Sequence, residues 1–334
     1  MLRDKIIQTA HEAGFGAVGF AEAREAPHAP AFLRWLDEGC HAGMAWLARE
    51  PHRRLDPRHH LRDAQTVIAL AMPVPPKTGA SQHIATFAQG RDYHRWIPKR
   101  LKPLCRLLAD AGGEQKIFVD SGALLERDFA HLAGLGWRGK NGLLVNERLG
   151  ARFHLAIIAT TLALPADTLV SSRCGECTLC INACPTRALA NPHGVDARRC
   201  LSYWTIEYKG SLPPWVRPLL GEKIFGCDTC ADVCPWNPTD PAKIAEEWTP
   251  RPAAQLPLRD YLAWSEEDFL KAFEGSPVRR AGYESFLRNV ATALGNIGCL
   301  EDRAALEQAA LHENSIIAEH ARFAVAELKF RHHS

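Results

Sequence analysis

Residues 174–185 read CGECTLCINACP, and residues 227–235 read CDTCADVCP. The first run has the CxxCxxCxxxCP spacing of bacterial ferredoxins that hold two 4Fe–4S clusters, in which the fourth cysteine ligates the other cluster. The second run lacks one ligand, and we expect Cys200 to supply it. Crossing the two runs predicts two sets of four thiolates. These are Cys174, Cys177, Cys180 and Cys234 for the first cluster, and Cys184, Cys200, Cys227 and Cys230 for the second.

A pair of zinc sites is the alternative interpretation of these cysteines, because CxxC pairs also suit tetrahedral zinc. Three-cysteine runs that end in CP favour cubane clusters. Disulfides are not expected among the eleven cysteines, because the N-terminal sequence has no recognisable export signal and the cytosol keeps thiols reduced. Cys40, Cys105 and Cys299 stand alone in apolar segments, and we expect them to be buried.

The chain is much longer than two clusters require. With 334 residues, of which 46% are hydrophobic and 23% charged, it has the composition of a packed protein with several domains. Its apolar runs are too short to span a bilayer, so we expect a cytoplasmic protein without a membrane partner. A net charge of +2 gives no general argument for a nucleic-acid partner, so such a partner needs local support.

The pattern of apolar residues predicts three domains. Residues 1–165 form a mixed α/β (α+β) domain, with helices predicted at 2–13, 91–111 and 123–133 and strands at 17–21, 64–72, 116–119 and 151–161. Residues 166–250 form a ferredoxin-like domain, with a proline-rich linker at 236–252. Residues 251–334 are helical. Two similar segments there begin 34 residues apart, at Arg288 and Arg322, and suggest HEAT-type repeats that dock against the ferredoxin-like domain.

Gly134, Gly136 and Gly139 spell GxGxxG, a motif typical of dinucleotide sites. The run follows a helical segment, however, and lacks the acidic residue expected about twenty positions later, so we do not predict such a site. The glycines either let the backbone approach a large flat ligand or form a tight turn.

The order of the motifs resembles a known family. Around the first cysteine run stand VDSGALLERDFAHLAGLGWRGKNG (residues 119–142), VDARRCLSYWTIE (residues 195–207) and GCDTCADVCPWN (residues 226–237). This order is similar to that of the epoxyqueuosine reductases, which complete queuosine in tRNA. The resemblance extends from about residue 10 to residue 250. It implies reduction of epoxyqueuosine at the wobble position of tRNA, cobalamin in the first domain, a low-potential donor such as a flavodoxin or ferredoxin system, and a monomer.

Reductive opening of an epoxide with loss of its oxygen as water needs two electrons, two protons and an acid near the oxygen. Cob(I)alamin is a suitable nucleophile or electron donor, and a low-potential cluster would generate it. The resemblance places the acid at Asp120, where burial beside an uncharged cofactor would raise the carboxyl pKa. The alternative role for Asp120 is to cap the helix predicted to begin near Ala123.

Further cofactor contacts rest on weaker signals. Tyr93 and His94 belong to RDYH, which the family shares, and are expected at the cobalamin or the substrate; an ordinary helix start is the alternative. His94 is not expected to ligate cobalt, because the DxHxxG signature is not met. Lys140, Asn141 and Arg53 are expected to hydrogen-bond to cobalamin, and exposed polar groups are the alternative.

A tRNA substrate requires cationic surface, because phosphate contacts supply most of the affinity. Arg95 and Lys99 lie in a basic stretch, residues 91–106, which is either a phosphate-facing stripe or the solvated face of a helix. Tyr203 and Trp204, near the cysteines, are expected to stack on an unpaired base. The cationic residues beside them are Arg198, Arg199 and Lys209.

Two other functions fit parts of the sequence. A corrinoid reductive dehalogenase looks similar in its cluster pair and cofactor domain, but it typically has a twin-arginine export signal and acid residues other than those of VDSG. A non-catalytic electron carrier accounts for the cysteines, but it leaves about 165 N-terminal residues unexplained. Bound iron without a corrinoid would favour the carrier.

Overall fold

A four-stranded sheet forms the centre of the N-terminal half. The computed structural model describes residues 1–74, 83–191, 194–238 and 248–333. Its strands are β1 (Ala17–Glu22), β2 (Thr66–Pro73), β3 (Gln115–Phe118), β4 (Trp137–Arg138), β5 (Leu144–Val145) and β6 (Phe153–Thr160). The large sheet has the order β1-β2-β6-β3 with antiparallel neighbours, and β4 pairs with β5 in a separate ribbon. The antiparallel pairing places this part of the chain in the α+β class.

Helices cover both faces of the sheet and make up most of the C-terminal part. They are α1 (Leu2–Glu12), α2 (Ala29–Asp37), α3 (Tyr93–Arg100), α4 (Lys102–Asp110), α5 (Glu126–Leu132), α6 (Leu179–Ala183), α7 (Val216–Leu219), α8 (Thr229–Asp232), α9 (Leu258–Tyr261), α10 (Glu266–Ala272), α11 (Tyr283–Ile297), α12 (Arg303–Ala309) and α13 (Ser315–His333).

Strand β2 is buried on both faces, and this explains its continuous apolar sequence. Ile68 and Leu70 pack in one cluster with side chains of α1, α3 and α4. Val67 and Ala69 point to the other face and pack with Phe129 of α5. Because alternate residues of a strand point to opposite faces, a central strand covered by helices on both sides needs an apolar residue at every position.

Local patterns predicted most of these elements. The helix at 2–13 and the strands at 17–21, 64–72, 116–119 and 151–161 are confirmed to within about two residues. The helix predicted at 91–111 is divided at Leu101, where Pro103 lies in the first turn of α4. The helix predicted at 123–133 begins only at Glu126, because the residues before it make tight turns.

The C-terminal helices dock on the segments between Cys200 and Cys227, as predicted. Arg288 of α11 is fully buried, and its guanidinium donates to the carbonyl oxygens of Trp204, Tyr208 and Gly210. The two similar sequence segments lie on α11 and α13, which pack against each other. Their assignment to HEAT-type repeats and the domain boundaries remain predictions, and residues 239–247 of the predicted linker lie outside the described residues.

No helix within the described ranges is long and apolar enough to cross a bilayer. Of the three isolated cysteines, Cys40 is buried and Cys105 is half-buried. Cys299 is exposed, so the prediction of burial is wrong there. Cys299 lies in the segment between α11 and α12. The apolar residues next to it in the sequence gave no indication that its side chain would be exposed.

Candidate active site

The loop of residues 119–125, here called the acid loop, follows β3 and carries Asp120. Asp120 has a φ of +58°, and the Ser121 N–H donates to the Val119 carbonyl oxygen at 2.6 Å across it. This is a γ-turn with positive φ, which is rare and strained for a residue with a side chain. The Asp120 side chain is 62% exposed, so its carboxyl group is accessible, and the surface in front of it is here called the recess. The capping alternative is wrong, because the N-cap of α5 is Leu125.

The residues of RDYH surround the Asp120 carboxyl group. The Tyr93 hydroxyl donates to Asp120 Oδ2 at 2.7 Å, and His94 Nε2 donates to the same oxygen at 3.0 Å. His94 Nδ1 bonds to Asp92 Oδ1 at 2.7 Å, and Asp92 also caps α3 by accepting from the His94 N–H. Both ring nitrogens of His94 are therefore engaged by carboxylates, and neither is free to bind a metal ion.

Hydrogen bonding decides where the proton of this group resides. Desolvation opposes ionisation of Asp120, but hydrogen bonds from His94 and Tyr93 outweigh it and hold the Asp120 pKa well below its usual value. Desolvation also opposes charge on His94, but its hydrogen bonds to Asp120 and Asp92 raise the His94 pKa to about 9. The Asp120 pKa is thus lowered in the protein alone, whereas the raised pKa was predicted for a carboxyl group beside bound cobalamin and stays a prediction. At neutral pH, His94 carries the proton and Asp120 is a carboxylate.

Glu126, the first residue of α5, was missed by the sequence analysis. Its Oε1 accepts a hydrogen bond from the Asp120 backbone N–H at 2.6 Å. Burial, followed by the charge of Asp120, raises the Glu126 pKa to about 8. An acidic residue in the first turn of a helix is ordinary, because it complements the helix dipole. The sequence therefore contains no local signal for this contact.

His154 on β6 is a second residue that the sequence analysis missed. Its ring stacks on Tyr93 with centroids 3.8 Å apart and on Trp248 with centroids 4.8 Å apart. Burial lowers the His154 pKa to about 3, so the imidazole is neutral. Its Nε2 has no hydrogen-bond partner within the part of the chain that the structure describes. A polar residue inside the apolar run of β6 was the available signal.

The eight predicted cluster ligands lie in two groups. The charges of Cys174 and Cys177 act on both Cys180 and Cys234. Burial raises the pKa of Cys230, with further contributions from the thiols Cys227, Cys200 and Cys184 and from Cys180 of the first set. Cys227, Cys200 and Cys184 are the partners that the crossed assignment gives to Cys230, and the contribution of Cys180 indicates that the two sets lie close together. The division into two ligand sets stays a prediction. Among the described residues, no three His, Cys, Asp or Glu side chains converge on one metal-ion position. A cubane does not require such convergence, because each thiolate binds a different iron.

Phe87 connects the second cysteine group to the acid site. Its ring centroid lies 6.1 Å from that of Phe225, beside the second cysteine run, and 6.3 Å from that of Tyr93. Asp228, within that run, accepts hydrogen bonds from the Thr86 N–H and hydroxyl, both at 2.7 Å. A short chain of packed side chains therefore separates these cysteines from the acid loop.

Lys140 and Asn141, predicted to contact cobalamin, brace the cysteine loops. Lys140 Nζ donates to the carbonyl oxygens of Gly175 and Cys177 at 2.6 and 3.1 Å. Asn141 is 4% exposed, and its Nδ2 donates to the Cys230 carbonyl oxygen at 3.4 Å. The structure thus gives both side chains backbone partners next to the predicted cluster ligands.

A cationic surface flanks the acid loop. Arg53 is exposed, lies 3.5 Å from Glu50 and lines a cavity of about 380 Å³ beside the loop. Arg54 and Arg280 both lie over the Trp46 ring, with guanidinium carbons 5.3 and 5.9 Å from its centroid. The Nε of Arg280 donates to Glu207 Oε1 at 2.6 Å, and this hydrogen bond, with a smaller contribution from the charge of Asp120, raises the Arg280 pKa. The buried Nε of Arg54 has no hydrogen-bond partner within the described ranges.

The predicted tRNA contacts on α3 are exposed, and so is Lys209, but the Lys209 ammonium group has partners within the chain. Arg95 and Lys99 are exposed on one side of α3. The Lys209 ammonium donates to three backbone carbonyl oxygens at 2.8, 2.6 and 2.8 Å. The carbonyls belong to Ile206, Arg280 and Ala281. All three of its donors are engaged within the chain, so the predicted phosphate contact of Lys209 has no support from this arrangement and stays a prediction.

The second predicted tRNA patch is only partly available. Arg198 is exposed but holds Asp196 through two hydrogen bonds of 2.9 and 3.0 Å. The Nε of Arg199 donates to a backbone carbonyl oxygen at 2.7 Å. Tyr203 and Trp204 are 8% and 9% exposed and pack in a hydrophobic cluster. The prediction that they stack on a base is wrong, because their rings are buried in the protein.

The glycines of GxGxxG pack against the protein's own backbone. A Cβ on Gly136 would lie 2.0 Å from the Val145 carbonyl oxygen, and one on Gly134 would lie 2.7 Å from the Thr168 carbonyl oxygen. Gly134 also has a φ of +72°. This geometry supports the tight-turn interpretation and not an approach to a flat ligand.

Relatives cover nearly the whole chain. An Escherichia coli protein named epoxyqueuosine reductase is 38% identical over 338 residues, which is 98% of this chain and 89% of that protein. The chain belongs to the epoxyqueuosine reductase family. The family model described as Epoxyqueuosine reductase QueG, DUF1730 matches residues 54–121, which include Tyr93, His94 and Asp120. The model described as 4Fe-4S double cluster binding domain matches residues 173–237. A 4Fe–4S cluster-binding domain therefore contains all the predicted cysteine ligands.

Solved epoxyqueuosine reductases share the fold of this chain. A crystal structure of one with a tRNA-Tyr epoxyqueuosine-modified stem loop matches with a TM-score of 0.89 at 28% identity, covering 98% of this chain and 90% of that chain. A Bacillus subtilis structure, whose aspartate catalytic loop is swung out of the active site, matches with a TM-score of 0.88 at 27% identity and the same coverage of 98% and 90%.

Proposed function

We propose that the chain reduces epoxyqueuosine to queuosine at the wobble position of tRNA anticodons, the last step of queuosine biosynthesis. The observation that carries this proposal is the proton-holding site at Asp120 beside two groups of four cysteines. The reaction needs both, because loss of the epoxide oxygen as water consumes two electrons and two protons. Family membership and the solved relative with an epoxyqueuosine-modified stem loop support this substrate.

Two 4Fe–4S clusters suit the cysteines, with the crossed sets as ligands. Each set offers four neighbouring thiols, as a cubane requires, and the clusters when bound supply electrons at low potential. The set that contains Cys227 lies beside Phe225 and Phe87, toward the acid loop. Cys177 of the other set is exposed, so an external electron donor of the flavodoxin or ferredoxin type would deliver electrons there. The protein would act as a monomer.

Cobalamin suits the recess in front of the acid loop. When bound, it supplies a strongly reducing metal centre for opening the epoxide. One donor near the acid loop, the buried Arg54 Nε, has no hydrogen-bond partner among the described residues and fits an amide oxygen of a corrin. Arg280, over the same Trp46 ring, and Arg53 add positive charge here, although each also has a carboxylate partner, Glu207 at 2.6 Å and Glu50 at 3.5 Å. Tyr93 lies beneath the recess and holds the acid group in place.

The protein's own part in the reaction is to deliver protons to the departing oxygen. The exposed Asp120 carboxyl group reaches into the recess, while His94 holds a proton against its Oδ2 at 3.0 Å. As negative charge develops on the oxygen, Asp120 passes the proton of His94 to it. The second proton follows the same route after His94 is reprotonated. Asp120 therefore acts as an acid through His94, despite its low pKa.

Exposed cations beside the site suit the tRNA backbone. Arg95 and Lys99 lie on α3, the helix that begins at Tyr93 and His94. Arg91, Lys102 and Arg106 are exposed nearby. Each phosphate contact contributes affinity that falls with salt concentration, so these side chains would position the anticodon without reading its sequence.

The proposal is tested with anaerobically purified protein reconstituted with iron, sulfide and cobalamin. An epoxyqueuosine-containing anticodon stem loop is incubated with the protein and a low-potential reductant, and the nucleosides are analysed by mass spectrometry. We expect queuosine from the wild type and none from Asp120→Ala with cobalamin still bound. An absence of queuosine with the fully loaded wild type would reject the function.

The two alternative functions give different results in the same preparation. A corrinoid dehalogenase would release halide from a halogenated phenol and leave the stem loop unchanged. An electron carrier would bind iron but no corrinoid. Full activity of Asp120→Ala would instead leave the reaction in place and reject the acid role of Asp120.

A further inference from the structure

The acid loop holds Asp120 in a conformation that needs external support. A γ-turn with positive φ is disfavoured for any residue with a Cβ, so the loop would relax unless contacts hold it. Among the described residues, the hydrogen bond within the turn is the one from Ser121 to Val119. Gly122, next in the loop, adds little restraint of its own, because glycine is the most conformationally free residue. Restraint must therefore come from outside the turn.

Within the part of the chain that the structure describes, three hydrogen bonds link Asp120 to residues outside the turn. Two of them, from Tyr93 and His94, end on the carboxyl oxygen Oδ2. The third runs from the Asp120 backbone N–H to Glu126 Oε1 at 2.6 Å. The two carboxyl contacts change whenever that group gains or loses a proton. The backbone contact involves no atom that takes part in proton transfer, so it is the one that can persist throughout the reaction.

Glu126 is itself anchored. It opens α5, and the following turn of this helix places Phe129 and Ala130, each 0% exposed, in the core against the sheet. A side chain at the start of a well-packed helix offers a fixed point to which a mobile loop can be bound.

We propose that Glu126 is a positioning residue, whose carboxyl group holds the backbone of Asp120 in the strained turn and so keeps the catalytic carboxyl group aimed into the recess. This inference rests on the proposed function, because it takes Asp120 as the group that delivers the proton. It assigns to Glu126 no contact with substrate or cofactor.

The contact does not depend on the charge of Glu126. Asp120 of the acid loop, Arg127 of α5 and His94 of α3 are the charged groups that face it. A carboxyl group retains an acceptor oxygen whether or not it is protonated. An amide also offers a carbonyl oxygen in the same place, so Glu126→Gln should preserve the function, whereas Glu126→Ala should remove it.

The test compares Glu126→Ala, Glu126→Gln and the control Glu114→Ala in the reconstituted holoenzyme. Glu114 is an exposed acid at the opposite end of β3 from the acid loop. Hydrogen exchange of the acid-loop amides is the first readout, and steady-state reduction of the epoxyqueuosine stem loop is the second. For Glu126→Ala we expect about 3- to 10-fold faster loop exchange and a kcat lower by about 3- to 10-fold, the range for losing a hydrogen bond between uncharged groups.

We expect the KM for the stem loop to stay within about twofold in Glu126→Ala, because positioning of the acid does not bind the tRNA. Glu126→Gln and Glu114→Ala should match the wild type in both readouts. Unchanged loop exchange in Glu126→Ala would overturn the inference, and so would a Glu126→Gln variant as impaired as Glu126→Ala. If the wild type makes no queuosine, the proposed function fails, whereas the exchange measurement still decides whether Glu126 holds the loop.

Discussion

The proton on His94 can be tested by removing one of the two carboxylates that stabilise it. Asp92 lies 2.7 Å from His94 Nδ1 and caps α3 by accepting from the His94 N–H. Asp92→Asn removes the negative charge but keeps a side-chain oxygen for the cap, so the fold should be preserved. The substitution therefore isolates the electrostatic contribution of Asp92 to the pKa of His94.

The expected change follows from the geometry of His94. Its side chain is 24% exposed, and its hydrogen bonds to Asp120 and Asp92 overcome desolvation to raise its pKa from 6.5 to about 9. An opposite charge at hydrogen-bonding distance shifts a pKa by about one to three pH units. Asp120 remains in the variant, so we expect the His94 pKa to fall by about one pH unit.

The direction of the pH effect depends on which protonation state of His94 supports the reaction. Protonated His94 supplies the proton, so activity is present at neutral pH and is lost as pH rises through the His94 pKa. In Asp92→Asn this loss should begin about one pH unit lower. The variant should equal the wild type near pH 7 and have a kcat/KM about fivefold lower at pH 9.

The assay is kcat/KM for the epoxyqueuosine stem loop between pH 6 and pH 10. Asp110→Asn, at the exposed end of α4, serves as a control for loss of one carboxylate elsewhere. An alkaline limb at the same pH in Asp92→Asn and in the wild type would refute the reasoning, since the proton would then not reside on His94.

Three further changes test the scaffold. Cys200→Ser should lose one cluster and so about half of the bound iron, whereas Cys299→Ser should keep all of it; full iron in Cys200→Ser would contradict the ligand assignment. Gly136→Ala should lower the free energy of unfolding by about 2 kcal/mol or more, because its Cβ would meet the Val145 carbonyl oxygen; an unchanged urea midpoint would exclude this clash. Arg288→Met leaves three carbonyl oxygens without their donor and should destabilise the protein by about 3 kcal/mol. A variant with the same Tm as the wild type would show that these hydrogen bonds contribute nothing to stability.

Residues close in sequence were the easier part of the prediction. Strand β2 could be recognised from its unbroken apolar run, because a strand buried on both faces has no polar position. The boundary errors at Leu101 and Glu126 arose where proline or a strained turn interrupted an otherwise helical pattern. Such interruptions depend on a few backbone angles, which amphipathic spacing does not report.

Long side chains were the harder part. Lys209 has the sequence context of a phosphate contact, but its ammonium group turns back to carbonyl oxygens as far away as Ala281. Tyr203 and Trp204 could equally have been exposed or buried, because aromatic residues suit both a binding surface and a core. Composition predicts what a side chain is able to do, whereas the fold decides which partner it meets.

The sequence by itself determined the cluster-binding character of this protein and its family. The cysteine ligands come in short runs, and the spacing within a run depends on how a few residues wrap around a cluster. This spacing can therefore be recognised in the sequence without knowledge of the tertiary structure. The state of the acid site was decided only by the tertiary structure. Asp120 meets Tyr93 and His94 from 27 and 26 residues away, and the balance between desolvation and these hydrogen bonds sets its pKa. That balance moved the proton from Asp120 to His94, and it exists only once the loop, the helix and the sheet are packed together.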